Sequence, residues 1–156
     1  MFFIAGCAQS TGPGGRFPLN QAANWGGRLS LRIDSEPVQS FAALFELHGQ
    51  PEAGELNLTS PIGSTLALLR WSPGEAVLRN GNETRRYDSV DALLEAATGA
   101  AIPIAALFDW LAGRDQPVPG WRADLNNIAT GRLQARRESP LPTAELRIVF
   151  ERAPSH

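Results

Sequence analysis

Residues 55–71 read Glu-Leu-Asn-Leu-Thr-Ser-Pro-Ile-Gly-Ser-Thr-Leu-Ala-Leu-Leu-Arg-Trp, two apolar-patterned runs joined by a turn. In Glu55–Thr59, Leu56 and Leu58 alternate with polar neighbours, the pattern of a strand with one wet face. In Ser60-Pro61-Ile62-Gly63 the fixed φ of Pro61 suits the second position of a type I turn, and Gly63 suits the fourth. Thr65–Trp71 then runs apolar on both faces. The stretch therefore predicts an antiparallel hairpin, with one oddity. Ile62, at the third turn position, has no local reason to be apolar. Its side chain either folds back onto Leu58 or Leu66 or stands out into solvent, and turn chemistry alone leaves both open.

Upstream of the hairpin, Arg28–Ile33 alternates in the same way. A Ser-Glu-Pro turn leads to Ser40–His48, which puts Phe41, Ala43, Phe45 and Leu47 on one face. A loop with Gly49, Pro51 and Gly54 returns the chain to Glu55. Downstream, Ala76–Arg79 and Glu83–Tyr87 flank Asn80-Gly81-Asn82, whose Asn-Gly pair is a hairpin signal. The periodicity then turns helical. Asp88 or Ser89 can cap a helix with Asp91 in its first turn, Leu93, Leu94 and Ala97 along its stripe, and Gly99 as its stop. Pro103 reads as the first residue of a second helix, in which Ile104, Leu107, Phe108 and Leu111 recur at helical spacing up to Gly113. Past Gln116-Pro117-Val118-Pro119-Gly120, strands resume at Trp121–Leu125, Arg132–Arg136 and Glu145–Phe150.

Consecutive antiparallel strands with short turns, and two helices inserted late, predict a mostly β fold: a curved sheet or open barrel wrapped around the helices. Alternation and helical spacing put Phe41, Phe45, Leu56, Leu58, Leu66, Leu68, Leu107, Leu111 and Ile148 on the inner surface. A slip of one residue would reverse any strand's entries. Periodicity does not separate a filled barrel from one that keeps an apolar cavity.

Composition narrows the function classes. The 156 residues suit one domain, and a net charge of −2 gives no electrostatic basis for nucleic-acid binding. All 14 basic residues are Arg, so a Schiff-base lysine is excluded. One Cys allows no internal disulfide, and with only His48 and His156 no metal site is expected. His48 falls at a strand end on the wetter face, without the orienting carboxylate that a Ser-His-Asp site needs. Gly12-Pro13-Gly14-Gly15 lacks the Gly-Lys-Ser/Thr of a phosphate loop, and the acidic residues are scattered singly. The pairs Arg85-Arg86 and Arg136-Arg137 read as solvated faces. Neither an enzyme nor a cofactor is expected.

The first seven residues end in Ile4-Ala5-Gly6-Cys7, which resembles a bacterial lipobox, with Cys7 as the acylated residue; the alternative is a chance Cys near a frayed terminus. Residues 1–7 would then be the remnant of a lipoprotein signal peptide. Ala8–Asn24, rich in Gly, Pro, Ser and Gln, reads as a flexible tether. The folded domain is expected over residues 25–153.

Trp25-Gly26-Gly27-Arg28-Leu29-Ser30-Leu31, Ser40–Phe45, Leu56–Thr65 and Ile102-Pro103-Ile104 through Asp109-Trp110-Leu111-Ala112-Gly113 occur in an order and spacing that resembles the LolB family. These are outer-membrane lipoprotein receptors of the lipoprotein localisation pathway. The resemblance implies an incomplete, strongly bent antiparallel barrel with helices across the mouth of an apolar cavity. It implies a lipid-anchored protein on the periplasmic face of the outer membrane, expected to act as a monomer. That protein takes acylated lipoproteins from a LolA-type carrier and inserts them into the outer-membrane phospholipid. It further implies that the loop Pro61-Ile62-Gly63 is the membrane-insertion element, Ile62 standing where the family usually has Leu. The chain departs from the family at Pro140-Leu141-Pro142, where a longer strand pair is expected, which leaves the strand count and closure of one wall open. Two alternatives use the same residues differently. One is a periplasmic lipid carrier without insertion activity; the other is a structural outer-membrane assembly lipoprotein.

Overall fold

The computed structural model describes residues 23–152. Its elements are β1 (Ala23–Ile33), β2 (Gln39–Gly49), β3 (Gly54–Thr59), β4 (Thr65–Ser72), β5 (Glu75–Asn80), β6 (Glu83–Tyr87), α1 (Val90–Thr98), α2 (Ile104–Leu111), β7 (Trp121–Asp124), β8 (Arg132–Arg137) and β9 (Ala144–Arg152). All nine strands form one antiparallel sheet in the order β6-β5-β4-β3-β2-β1-β9-β8-β7. The chain meanders from β1 out to β6, and the helices carry it to the opposite edge. It then returns through β7 and β8 to lay β9 against the free side of β1. β6 and β7 remain as edges, so the barrel is open.

The sheet curls because its inner face has a partner to bury. Six of the eight residues of α2 are buried, Ile104, Ala106, Leu107, Phe108, Trp110 and Leu111, as expected of a helix enclosed by apolar surface nearly all round. The Phe108 ring lies 5.8 Å from Trp25 on β1 and 6.5 Å from Trp71 on β4, both edge-on. Those strands are three positions apart in the sheet, roughly 14 Å if it were flat. One ring meets both because the sheet wraps around α2.

Register sets the inner face in cross-strand rows. Trp25, Leu47, Leu56, Leu69 and Leu78 form one, and Gly27, Phe45, Leu58 and Ala67 the next. Leu29 faces Ala43 on one side and Ile148 on the other, and Leu31 likewise meets Phe41 and Leu146. Gly27 is where β9 comes closest: a Cβ there would stand 2.0 Å from the Val149 carbonyl oxygen. Gly26-Gly27 also breaks the alternation, so sequence pattern places the start of β1 near Arg28, whereas the strand reaches back to Ala23 through its pairing with β2.

Two further details differ from the sequence reading. Pro103 is the residue before the first turn of α2 and not its first helical residue; its carbonyl accepts from the Leu107 N–H at 2.9 Å. A short 3-10 turn at Ile128–Thr130 carried no periodic signal. At the β8–β9 pair, six residue pairs are in register across a loop containing Pro140-Leu141-Pro142, so the second wall is built to the edge strand β7.

Of the two capping candidates for α1 it is Ser89 that acts, its Oγ accepting from the Ala92 N–H at 3.1 Å. Ser89→Ala is expected to cost about 1 kcal/mol in urea unfolding. An unchanged midpoint would mean that the helix start is held by other contacts.

Candidate functional site

Two features stand out: an apolar concavity occupied by α2, and an exposed apolar tip on the hairpin between β3 and β4. Phe45, Leu56, Leu58, Leu107, Leu111 and Ile148 all lie in the buried core that sheet and helices share. Phe41 is on the same face and half-buried. Leu66 is likewise partly buried against the core, and Leu68 needs correction. β4 carries a bulge, because Leu58 pairs with Ala67 while Thr59 pairs with Thr65, which leaves Leu66 as the extra residue. Leu68 pairs with Asn57 and Arg79, on the opposite face from Ala67, Leu69 and Trp71. Thr65–Trp71 is apolar on both faces, so alternation could not choose between them. Counting back from Trp71 would have found the inner set.

The helix contributes residues that spacing alone did not single out. Trp110, fully enclosed, donates its Nε1–H to the Gln116 carbonyl at 3.0 Å and packs against Trp121. Trp71 donates to the Gln50 carbonyl at 3.1 Å. These two indoles each combine a large apolar body with one satisfied polar group. At the C-terminal end of α2 a cleft of about 550 Å³ opens to solvent, lined by Trp25, Leu111, Ala112, Ile128 and Phe150 among others. Another cleft, of about 530 Å³, holds His48, Glu55, Arg70, Glu75 and Arg86. Its charges are paired, Glu55 with Arg70 and Glu75 with Arg86, and His48 faces Asn24. The first cleft reaches the core through Trp25 and Leu111, and the second through Trp71.

The hairpin tip has the turn that its sequence predicts. The Gly63 N–H donates to the Ser60 carbonyl at 2.9 Å, the Ser60 N–H to the Ser64 carbonyl at 2.8 Å, and the Ser64 N–H to the Ser60 hydroxyl at 3.1 Å. Pro61 has no N–H to satisfy. Ile62 does not fold back: it is 89% exposed, the most exposed large apolar side chain among the described residues. Cys7 lies outside the described residues. Among the described residues no three His, Cys, Asp or Glu side chains gather as a metal site would require, and no helix is long and apolar enough to cross a membrane.

An open antiparallel barrel that encloses a helix in an apolar concavity, with one bare apolar residue at a hairpin tip, defines a class of protein built around buried and exposed apolar surface. Within that class the chain belongs to the outer membrane lipoprotein LolB family, whose model matches residues 21–152. It is 33% identical over 144 residues to an outer-membrane lipoprotein LolB of Cupriavidus metallidurans, covering 88% of this chain and 68% of that one. It is 44% identical over 138 residues to the Cupriavidus pinatubonensis protein of that name, covering 83% and 64%. With the Bordetella pertussis protein the figures are 47% over 91 residues, 56% and 46%. The chain thus spans about two thirds or less of these relatives' length.

Proposed function

We propose that this chain is a receptor that accepts acylated lipoproteins from a LolA-type carrier into its apolar concavity and inserts them into the inner leaflet of the outer membrane, with Cys7 as its own acylated anchor. The exposure of Ile62 carries this reading, because a solitary β-branched side chain on an internally satisfied turn has no structural partner and suits a lipid surface. Each acyl CH₂ removed from water is worth ~0.8 kcal/mol, so a lipoprotein's chains need a dry site at every stage of transit. The concavity offers one once α2 moves aside, and Phe45, Leu56, Leu58, Leu107, Leu111 and Ile148 would then face the chains. Handover from carrier to receptor to bilayer runs downhill by differential affinity, without nucleotide.

The well-filled concavity favours a second reading, an assembly lipoprotein that pairs through a sheet edge. The edges argue against it: β6 is Glu-Thr-Arg-Arg-Tyr with Glu83, Arg85 and Arg86 exposed, and β7 has four residues. Short and charged edges discourage strand addition. Depletion of the gene with complementation tests the proposal. Lipoproteins should mislocalise from the outer membrane on depletion and return with the wild-type chain; correct localisation on depletion would overturn it.

A further inference from the structure

The hairpin tip has a counterpart in the chain. Ser60-Pro61-Ile62-Gly63 joins β3 to β4, and Ser139-Pro140-Leu141-Pro142 sits in the loop from β8 to β9. Each sets one large aliphatic side chain behind a Ser-Pro pair. Leu141 is 78% exposed, and Val38, 51% exposed, lies on the neighbouring turn between β1 and β2. The described residues hold four exposed large apolar side chains, and the fourth, Val149, is on the face of a strand.

Topology directs the three turns toward one end of the sheet. Ile33, the last residue of β1, pairs with Gln39 at the start of β2 and with Ala144 at the start of β9. The turn with Val38 and the loop with Leu141 therefore leave the sheet side by side. They are tied there: the Asp34 N–H donates to the Thr143 carbonyl at 2.9 Å, and the Thr143 hydroxyl to the Asp34 carboxylate at 2.8 Å. β3 runs toward the same end, since Thr59 pairs with Leu44, partway from Gly49 to Gln39 along β2.

The Leu141 loop also consumes its own polar groups. Pro140 and Pro142 have no N–H, and the amides of Glu138 and Ser139 both point to the Gly120 carbonyl, at 2.7 and 3.4 Å. The Arg137 guanidinium donates to the Pro142 carbonyl at 2.9 Å. Gly120 admits this contact because a Cβ there would lie 2.0 Å from the Ser139 carbonyl oxygen. With two of its residues lacking an N–H and the amides of Glu138 and Ser139 bonded, the loop carries fewer backbone donors into an apolar medium. The nearby acids are partnered, Glu138 by Arg122 at 3.8 Å and Asp34 by Arg32 at 3.2 Å, which leaves Glu36 as the free charge on the adjoining turn.

We propose that Leu141 is a second membrane-contact residue, and that Ile62 and Leu141 together rest this end of the barrel on a phospholipid surface. The proposal rests on the reading of Ile62 as a lipid contact. The occupant is a bilayer and not a protein because the most exposed apolar groups are single side chains on separate tips. One tip leaves the barrel free to tilt. Two, carried on opposite sides of β1, would fix how the concavity is presented to the leaflet.

The test uses the full chain with Cys7→Ala, which removes any acyl anchor, and vesicles of phosphatidylethanolamine with a minor fraction of phosphatidylglycerol. Partition is followed by co-sedimentation and folding by thermal unfolding. Leu141→Glu is expected to weaken partition about tenfold at unchanged stability, Ile62→Glu by at least as much, and the double variant by about the product. Where Leu141→Glu fails to fold, Leu141→Cys carrying an environment-sensitive fluorophore replaces it, and its emission should shift to the blue when vesicles are added. Loss of partition with Ile62→Glu but not with Leu141→Glu, or no shift from the label, would overturn the second contact while leaving the first. No loss with either would overturn both. Intact partition with impaired uptake from the carrier would assign Leu141 to a protein interface and overturn the proposal.

Discussion

Ile62→Glu is expected to leave folding and cargo uptake intact and to block delivery. The turn holds itself together through Ser60, Gly63 and Ser64, and none of those bonds uses the Ile62 side chain. At 89% exposure the residue has little packing to lose, so the stability change should stay within about 0.5 kcal/mol. Burying an Ile side chain in lipid is worth ~2 kcal/mol, a factor of roughly 30 in contact with the bilayer. A carboxylate in its place adds a desolvation penalty. Both effects fall on the last step. The measurement is transfer of a labelled acylated lipoprotein from the preloaded variant to vesicles, with uptake from the carrier measured separately. Ile62→Leu should transfer normally, because bulk and apolarity are kept. Loss of uptake in Ile62→Glu would place the residue in the cargo-holding surface instead.

The second large effect centres on α2. Phe108→Ala should destabilise the chain by about 3–5 kcal/mol, the usual cost of removing a buried aromatic ring. Its ring is 4% exposed and touches Trp25 and Trp71 at once, so neither wall can close the gap without moving. In the same variant a fluorescent fatty-acyl probe should bind more tightly than to the wild type. A chain entering the concavity must displace the ring, and the substitution removes that competitor and leaves an apolar void, which readily takes an apolar ligand. Stability falls and affinity rises, a pairing that an ordinary core residue would not give. Urea unfolding and probe titration report the two halves. Weaker probe binding would make Phe108 part of the pocket wall and not its occupant.

Much of this was legible in the sequence because local chemistry and tertiary structure agree there. Strict alternation in Glu55–Thr59 and Ser40–His48 put Leu56, Leu58, Phe45 and Phe41 on the face the structure gives them. Ser89 and Gly99 bound α1 as capping rules require. What escaped did so for identifiable reasons. The bulge at Leu66 and the two-sided hydrophobicity of β4 hid the face of Leu68, since a period of two has no phase when both phases are apolar. The start of β1 was masked by Gly26-Gly27, whose missing side chains serve the approach of β9 and show no pattern. The filling of the concavity by α2 depends on how Phe108 and Trp110 meet residues from distant strands, and no window of sequence contains those contacts. The exposure of Ile62 and Leu141 was open for a similar reason: turn rules fix the backbone and are silent on whether a tip side chain finds a partner.

The most direct test of the receptor proposal is a reconstituted transfer with three components: a LolA-type carrier loaded with a radiolabelled acylated lipoprotein, this protein, and phospholipid vesicles in buffer without nucleotide. The expected result is that the label leaves the carrier, passes through a complex with this chain, and arrives in the vesicles, with Ile62→Glu stalling it in the complex. A label that stays on the carrier, or reaches the vesicles at the same rate without this protein, would contradict the proposal.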